Sequence, residues 1–269
     1  MPFDIPRPGK LIDVNVFLDR WPFRRLPDDE TSNLVKKLRS QNVAQALAGS
    51  FDSLLHRDLR AVNQRLLAAC QQADGNILRP MGAVNLTLPH WEQEVEDCAA
   101  SKEFAGVRIL PGWHHVPLDD GRMAALCALC EEKQLILQIF ARLEDPRTTH
   151  PQFTSQPIDF KPALELFPRF PRLRVILSNS GAEIRSPLTT QLAKCGQIYF
   201  DLSMVEQTGG VSAYAQAISP ERLLFGSYFP FFYFEASLLK LQENEETLGR
   251  HQIDLIAFKN AERLLAGTL

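Results

Sequence analysis

Short apolar runs alternate along the chain with stretches in which apolar residues recur every three or four positions. The first pattern is that of a strand buried on both faces, and the second that of a helix with one buried stripe. Their regular alternation predicts repeated βα units around a parallel sheet. Eight runs read as strands: residues 11–18, 43–48, 80–85, 106–110, 135–140, 173–178, 198–202 and 223–227. The helical pattern is clearest over residues 58–73, where Leu59, Val62, Leu66, Leu67 and Cys70 form one stripe. No linker or low-complexity segment interrupts the rhythm, and 269 residues suffice for one large core. The expectation is an α/β chain forming a single (β/α)8 TIM barrel domain over residues 1–269.

The longest connection, residues 141–157, follows the fifth strand and carries Arg142, Glu144, Asp145, Arg147 and His150. Its length and position predict a lid or binding loop on the face where barrel enzymes react.

Charge and composition narrow the partners. A formal net charge of −3 leaves no basic stripe, which argues against nucleic acid and against an anionic membrane. The opening residues carry no basic start followed by an apolar run, and no 18-residue apolar stretch follows, so a cytoplasmic protein is expected. The five cysteines are unclustered apart from Cys127 and Cys130. That pair shares a helical face with Met123 and Leu126, which reads as buried packing rather than a redox motif.

Several local patterns carry a family resemblance. Asp13-Val-Asn15-Val-Phe17 stands at the first strand, Phe104-Ala-Gly106-Val-Arg108-Ile at the fourth with Leu118-Asp-Asp120 after it, Leu173-Arg-Val-Ile-Leu-Ser-Asn179-Ser-Gly181 at the sixth, Tyr199-Phe-Asp201-Leu-Ser203 at the seventh, and Gly226-Ser227 near the end. In this order they resemble the amidohydrolase-2 family, metal-dependent TIM-barrel hydrolases and decarboxylases. The resemblance implies that fold and a divalent ion held by a first-strand D-x-H-x-H, a fifth-strand histidine and an eighth-strand aspartate, with a sixth-strand histidine serving the water.

This chain departs at each of those places. They hold Asn15, Phe17, either Gln138 or Phe140, Asn179 and Tyr228. Neutral amides, a phenyl ring and a phenol with pKa about 10 are poor zinc donors. The expectation is a lost metal site and no cofactor. The adjacent His114 and His115 offer the alternative of a relocated ion.

Other residues at the strand ends suggest metal-free chemistry. Arg108, in an apolar strand, needs an anionic partner: a substrate carboxylate or phosphate, or else Asp201 or Asp13. Asn15, Gln138 and Asn179, with Arg142, form an amide-rich set suited to a small polar ligand. Asp201 is the best candidate general base, and Glu144 and His150 could supply an acid and a base if the loop closes. Tyr228 could donate to an oxyanion, or seal the barrel among Phe229, Phe231, Phe232, Tyr233 and Phe234. That aromatic block suits a pocket wall or the subunit contact of a homo-oligomer. The leading reading is a metal-independent enzyme acting on a small polar or carboxylate-bearing molecule by lactone or ester hydrolysis or by decarboxylation. The alternatives are a non-catalytic barrel that binds a small molecule, and a metal-dependent hydrolase with a relocated site.

Overall fold

A computed structural model describes residues 9–145, 147, 149–150, 155–181, 184 and 187–267. Within them eight parallel strands lie side by side in chain order. These are β1 (Leu11–Leu18), β2 (Val43–Ser50), β3 (Leu78–Ala83), β4 (Gly106–Ile109), β5 (Ile136–Phe140), β6 (Arg174–Ser178), β7 (Gln197–Asp201) and β8 (Leu223–Leu224). The segment after β8 closes the barrel on β1 through Val14 N to Phe225 O at 3.0 Å and Phe17 N to Phe229 O at 3.0 Å.

The helices wrap the outside, as their stripes require. The helix Leu59–Gln72 starts where Asp58 accepts from Ala61 N, and it buries Leu59, Val62, Leu66 and Cys70. Its buried Asn63 accepts from Ala83 N at 2.7 Å and donates to Ala83 O at 3.1 Å, pinning the helix to the end of β3. Cys127 and Cys130 are buried free thiols. Among the described residues no helix is long and apolar enough to cross a membrane.

Strand β8 is shorter than its apolar run. After Leu224 the chain leaves the ladder, Phe225 N donates to Ile256 O, and Gly226 passes so close to β7 that a Cβ there would lie 2.8 Å from Asp201 Cβ. Only glycine permits that approach.

The barrel interior is stratified. Along β5 the inward positions read Ile136, Gln138 and Phe140, one for each layer. Ile136 belongs to an apolar layer with Ile12, Leu47, Met81, Ile176, Tyr199 and Leu224, closed by Ala261 and Leu264 of the last helix. Phe140 belongs to an aromatic layer at the C-terminal strand ends, with Phe17, Trp21, Phe51 and Tyr228. The polar residues lie between.

Candidate functional site

Arg108 on β4 organises one half of the polar layer. Its register partner on β5 is Gln138, whose Oε1 accepts from Arg108 Nε at 2.7 Å. Arg108 Nη1 donates to Val16 O at 2.7 Å, and Nη2 to Leu47 O at 2.7 Å and Val14 O at 3.3 Å. Carbonyls of β1 are within reach here because the β1–β2 register slips between Asp13 and Val16. Gly49 makes room for the side chain, since a Cβ there would lie 2.5 Å from Arg108 Nη1. The guanidinium also faces the Phe17 ring at 4.7 Å and the Phe140 ring at 5.5 Å. Burial pulls its pKa down to about 9, opposed by the Asp13 and Asp201 carboxylates, so it stays charged at neutral pH.

The carboxylate partner expected for Arg108 is thus replaced by carbonyl oxygens. Neither Asp201 nor Asp13 forms an ion pair with it, and its donors are directed inward to the frame of the barrel. The N–H groups are satisfied by neutral acceptors while the two carboxylates act on the guanidinium only through their field, which corrects the expectation of a direct anionic partner.

The second cluster joins β1 to β6 and β7. Asn15 Nδ2 donates to Asn179 Oδ1 and to Asp201 Oδ2, each at 2.8 Å, with Ser203 Oγ at 3.4 Å. Ser203 Oγ lies 2.6 Å from both Asn179 Oδ1 and Asp201 Oδ1, and Asn179 N donates to Asp201 Oδ1 at 3.1 Å. Asn179 holds φ +56, a left-handed conformation that asparagine tolerates. Its Nδ2 donates to the Arg142 backbone carbonyl at 2.8 Å. Lys240, from a helix beyond the barrel strands, donates to Ser203 O at 2.7 Å. All four side chains of the cluster are buried.

Asp13 stands apart from this cluster as a strut between β1 and the turn after β8. Its carboxyl accepts from Asn15 N and Ser227 N, each at 3.0 Å, and from Ser227 Oγ. Burial raises its pKa to about 7, more than Ser227 lowers it.

Rings cover both clusters. Phe17 stacks on Phe51 at 4.5 Å and meets Tyr228 edge-on at 5.7 Å, and Tyr228 stacks on Phe231 at 4.8 Å. Tyr228 is fully buried at φ +56, and its hydroxyl has no hydrogen-bond partner among the described residues. A bulky residue in that conformation is strained. Burial and the nearby Glu144 push its phenol pKa well above the ordinary value.

The sequence candidates therefore divide. Asn15, Asn179 and Asp201 meet in one cluster, Arg108 and Gln138 in another, and Tyr228 lies in the covering layer. Arg142 contributes a backbone carbonyl. Glu144 is buried beside the rings, 3.6 Å from Arg24 Nη1, while His150 is exposed on its loop. Part of the expected 141–157 loop lies outside the described residues. Of the adjacent histidines, His115 is exposed, whereas burial lowers the pKa of His114 to about 4. Among the described residues no three His, Cys, Asp or Glu side chains gather as a metal site. Ser178, whose Oγ accepts from Gln138 Nε2 at 2.7 Å, Ser227 and Lys240 complete the networks without having been site candidates in the sequence, where Ser227 entered only through the Gly226-Ser227 pattern. Ser227 lay next to the expected eighth-strand ligand position, and nothing local marks the other two.

The fold is an eight-stranded parallel barrel with its polar residues held between an apolar and an aromatic layer. The sequence pattern of the amidohydrolase family, amidohydrolase-2 type, matches residues 22–266, and the chain belongs to that family. No curated protein sequence matches it. Among solved structures, 2,6-dihydroxybenzoate decarboxylase from Rhizobium is similar at 15% identity and TM-score 0.72, covering 96% of this chain and 99% of the other. 5-Carboxyvanillate decarboxylase from Sphingomonas paucimobilis is 14% identical at TM-score 0.73, covering 96% and 99%. IDCase from Metarhizium anisopliae is 15% identical at TM-score 0.70, covering 97% and 98%.

Proposed function

We propose that this chain is a non-catalytic member of the amidohydrolase family, a barrel that binds a small polar molecule without converting it. The observation that carries this reading is that Asn15, Asn179, Asp201 and Ser203 are hydrogen-bonded to one another beneath a buried layer of Phe17, Phe140 and Tyr228. A general base must reach its substrate, and Asp201 is fully buried with both oxygens accepting from neighbours.

The donor set does not fit the divalent ion of the family. Asn15 turns its amide hydrogens toward Asn179 and Asp201, Phe17 and Phe140 offer no lone pair, and burial keeps the Tyr228 phenol protonated. Zinc or manganese would need imidazole, thiolate or several carboxylates where these side chains stand. Binding without turnover is favoured by Tyr228 OH and Trp21 Nε1 of the aromatic layer, which among the described residues are buried without a hydrogen-bond partner. A ligand carrying hydroxyl or amide groups could meet them.

The similarity to decarboxylases sets the assay. Purified protein is melted and incubated with 2,6-dihydroxybenzoate, 5-carboxyvanillate, simple lactones and polyols, with and without added Mn²⁺ or Zn²⁺. The expected result is a raised melting temperature with at least one compound and no product formation above the protein-free rate. Carbon dioxide release or hydrolysis in proportion to protein concentration, abolished in Asp201→Asn, would establish an enzyme instead.

A further inference from the structure

The opposite end of the barrel carries a pattern of its own. Two positions before an inward apolar residue the chain is repeatedly basic: Arg79 precedes Met81, Arg174 precedes Ile176 and Arg222 precedes Leu224. A strand turns alternate residues to one side, so the three arginines ring the N-terminal rim just outside the apolar layer. Arg222 lies over the Tyr199 ring at 5.4 Å. Arg174 donates through Nη1 to Leu264 O at 2.6 Å and through Nη2 to Gln134 O. Among the described residues none of the three pairs with a carboxylate, and all are half-buried.

Three half-buried guanidinium groups without a carboxylate partner concentrate positive charge at this rim. Burial lowers the pKa of Arg79, and burial together with Arg79 lowers that of Arg174. A cavity of about 310 Å³ opens beside Arg174, lined also by Arg172, Gln134, Gln197 and Gly267. Two carboxylates share its wall and are already engaged: Glu131 accepts from Arg172 N at 2.7 Å, and Glu132 lies 3.2 Å from Lys133 Nζ. Arg172 and Arg174 balance these two carboxylates, and Lys133 is shared with Glu96 at 3.0 Å, so the excess of positive charge lies on the rim, to which Arg174 links the cavity. The volume is at the lower end of the range for small-molecule sites.

We propose that this N-terminal rim is a binding site for a multiply charged oxyanion, of phosphate or polycarboxylate chemistry, centred on Arg174 and held by the field of Arg79 and Arg222. Planar guanidinium forks suit both kinds of oxygen geometry. The site lies at the opposite end of the barrel from the residues discussed above and stands independently of the function proposed for them.

The test titrates the full chain with pyrophosphate and with citrate at constant ionic strength, by calorimetry and thermal melting, with sodium chloride as control. The expected result is one equivalent of either probe bound, with a rise in melting temperature that chloride does not give. Binding of pyrophosphate alone assigns a phosphate ligand, and binding of citrate alone a polycarboxylate. Arg174→Gln should weaken Kd by about tenfold, the effect of losing one charge-assisted contact, and Arg79→Gln, which acts through its field, by about threefold. Arg174→Gln also loses the bond to Leu264 O, so Arg79→Gln is the decisive variant: it should melt no lower than wild type without anion. A rise no larger than that from chloride, or a Kd unchanged in Arg79→Gln, would overturn the assignment.

Discussion

Asn15 Nδ2 lies 2.8 Å from Asp201 Oδ2, a contact that ties the first strand of the barrel to the seventh through a neutral donor and a carboxylate. Asn15→Asp keeps the shape and removes the donor, setting a second carboxylate against Asp201 and against Asn179 Oδ1. The expected loss of stability is about 3 kcal/mol at pH 7, read from urea unfolding, because a buried charge would lose its partner. A loss below about 0.5 kcal/mol, as for an ordinary surface change, would show that Asn15 does not organise the cluster.

Arg108 acts as a strut. Arg108→Met leaves Val16 O, Leu47 O and Gln138 Oε1 without their donor, and the expected cost is about 4 kcal/mol. Arg108→Lys recovers a charge without the planar fork and should still cost about 2 kcal/mol. Denaturant unfolding without any added ligand measures both. Wild-type stability in both variants would restore the view that Arg108 is kept for a ligand.

Asp13 gives the fold a pH dependence of definite sign. Its folded pKa of about 7 lies above the ordinary 3.8, so the folded state holds a proton that the unfolded chain releases. The resulting stability is full below the unfolded pKa and is lost as pH rises through about 7. The stability difference between wild type and Asp13→Asn should therefore shift against wild type by up to about 4 kcal/mol between pH 4 and pH 8. Urea melts across that range measure it, and a flat difference would contradict the raised pKa.

Much of the barrel is legible in the sequence because strand burial on both faces leaves continuous apolar runs, and β1 begins and ends where its run does. The end of β8 was not, since Gly226 departs from the sheet to clear Asp201, a contact made across the chain. The site was legible as a set of residue types: Asn15, Asn179 and Asp201 do meet. Their partners were not. Lys240 comes from a later helix, and the carbonyls that receive Arg108 belong to β1 and β2, so no local pattern could show that the arginine is neutralised by backbone dipoles.

Restoring histidines and an aspartate tests whether the pocket still resembles that of the family. The combined variant Asn15→His, Phe17→His, Asn179→His and Tyr228→Asp removes two rings that touch Phe51, Phe140 and Phe231. Tyr228→Asp relieves some strain at φ +56, but the lost packing outweighs it, and the metal-free variant should be destabilised by about 3 kcal/mol or more. Zinc should raise its melting temperature, while hydrolysis of simple esters stays near background because the supporting shell is that of Arg108, Gln138 and Ser203. Wild-type melting with brisk zinc-dependent turnover would refute this.

The most direct measurement is calorimetric titration of the wild-type chain with Mn²⁺ and with Zn²⁺ at pH 7, paired with Asp201→Asn. The cluster of Asn15, Asn179, Asp201 and Ser203 predicts no saturable binding tighter than about 1 mM, and no difference between the two proteins, since amide and hydroxyl groups already occupy the carboxylate. One equivalent of metal bound with Kd below about 1 μM in wild type and lost in Asp201→Asn would contradict the account.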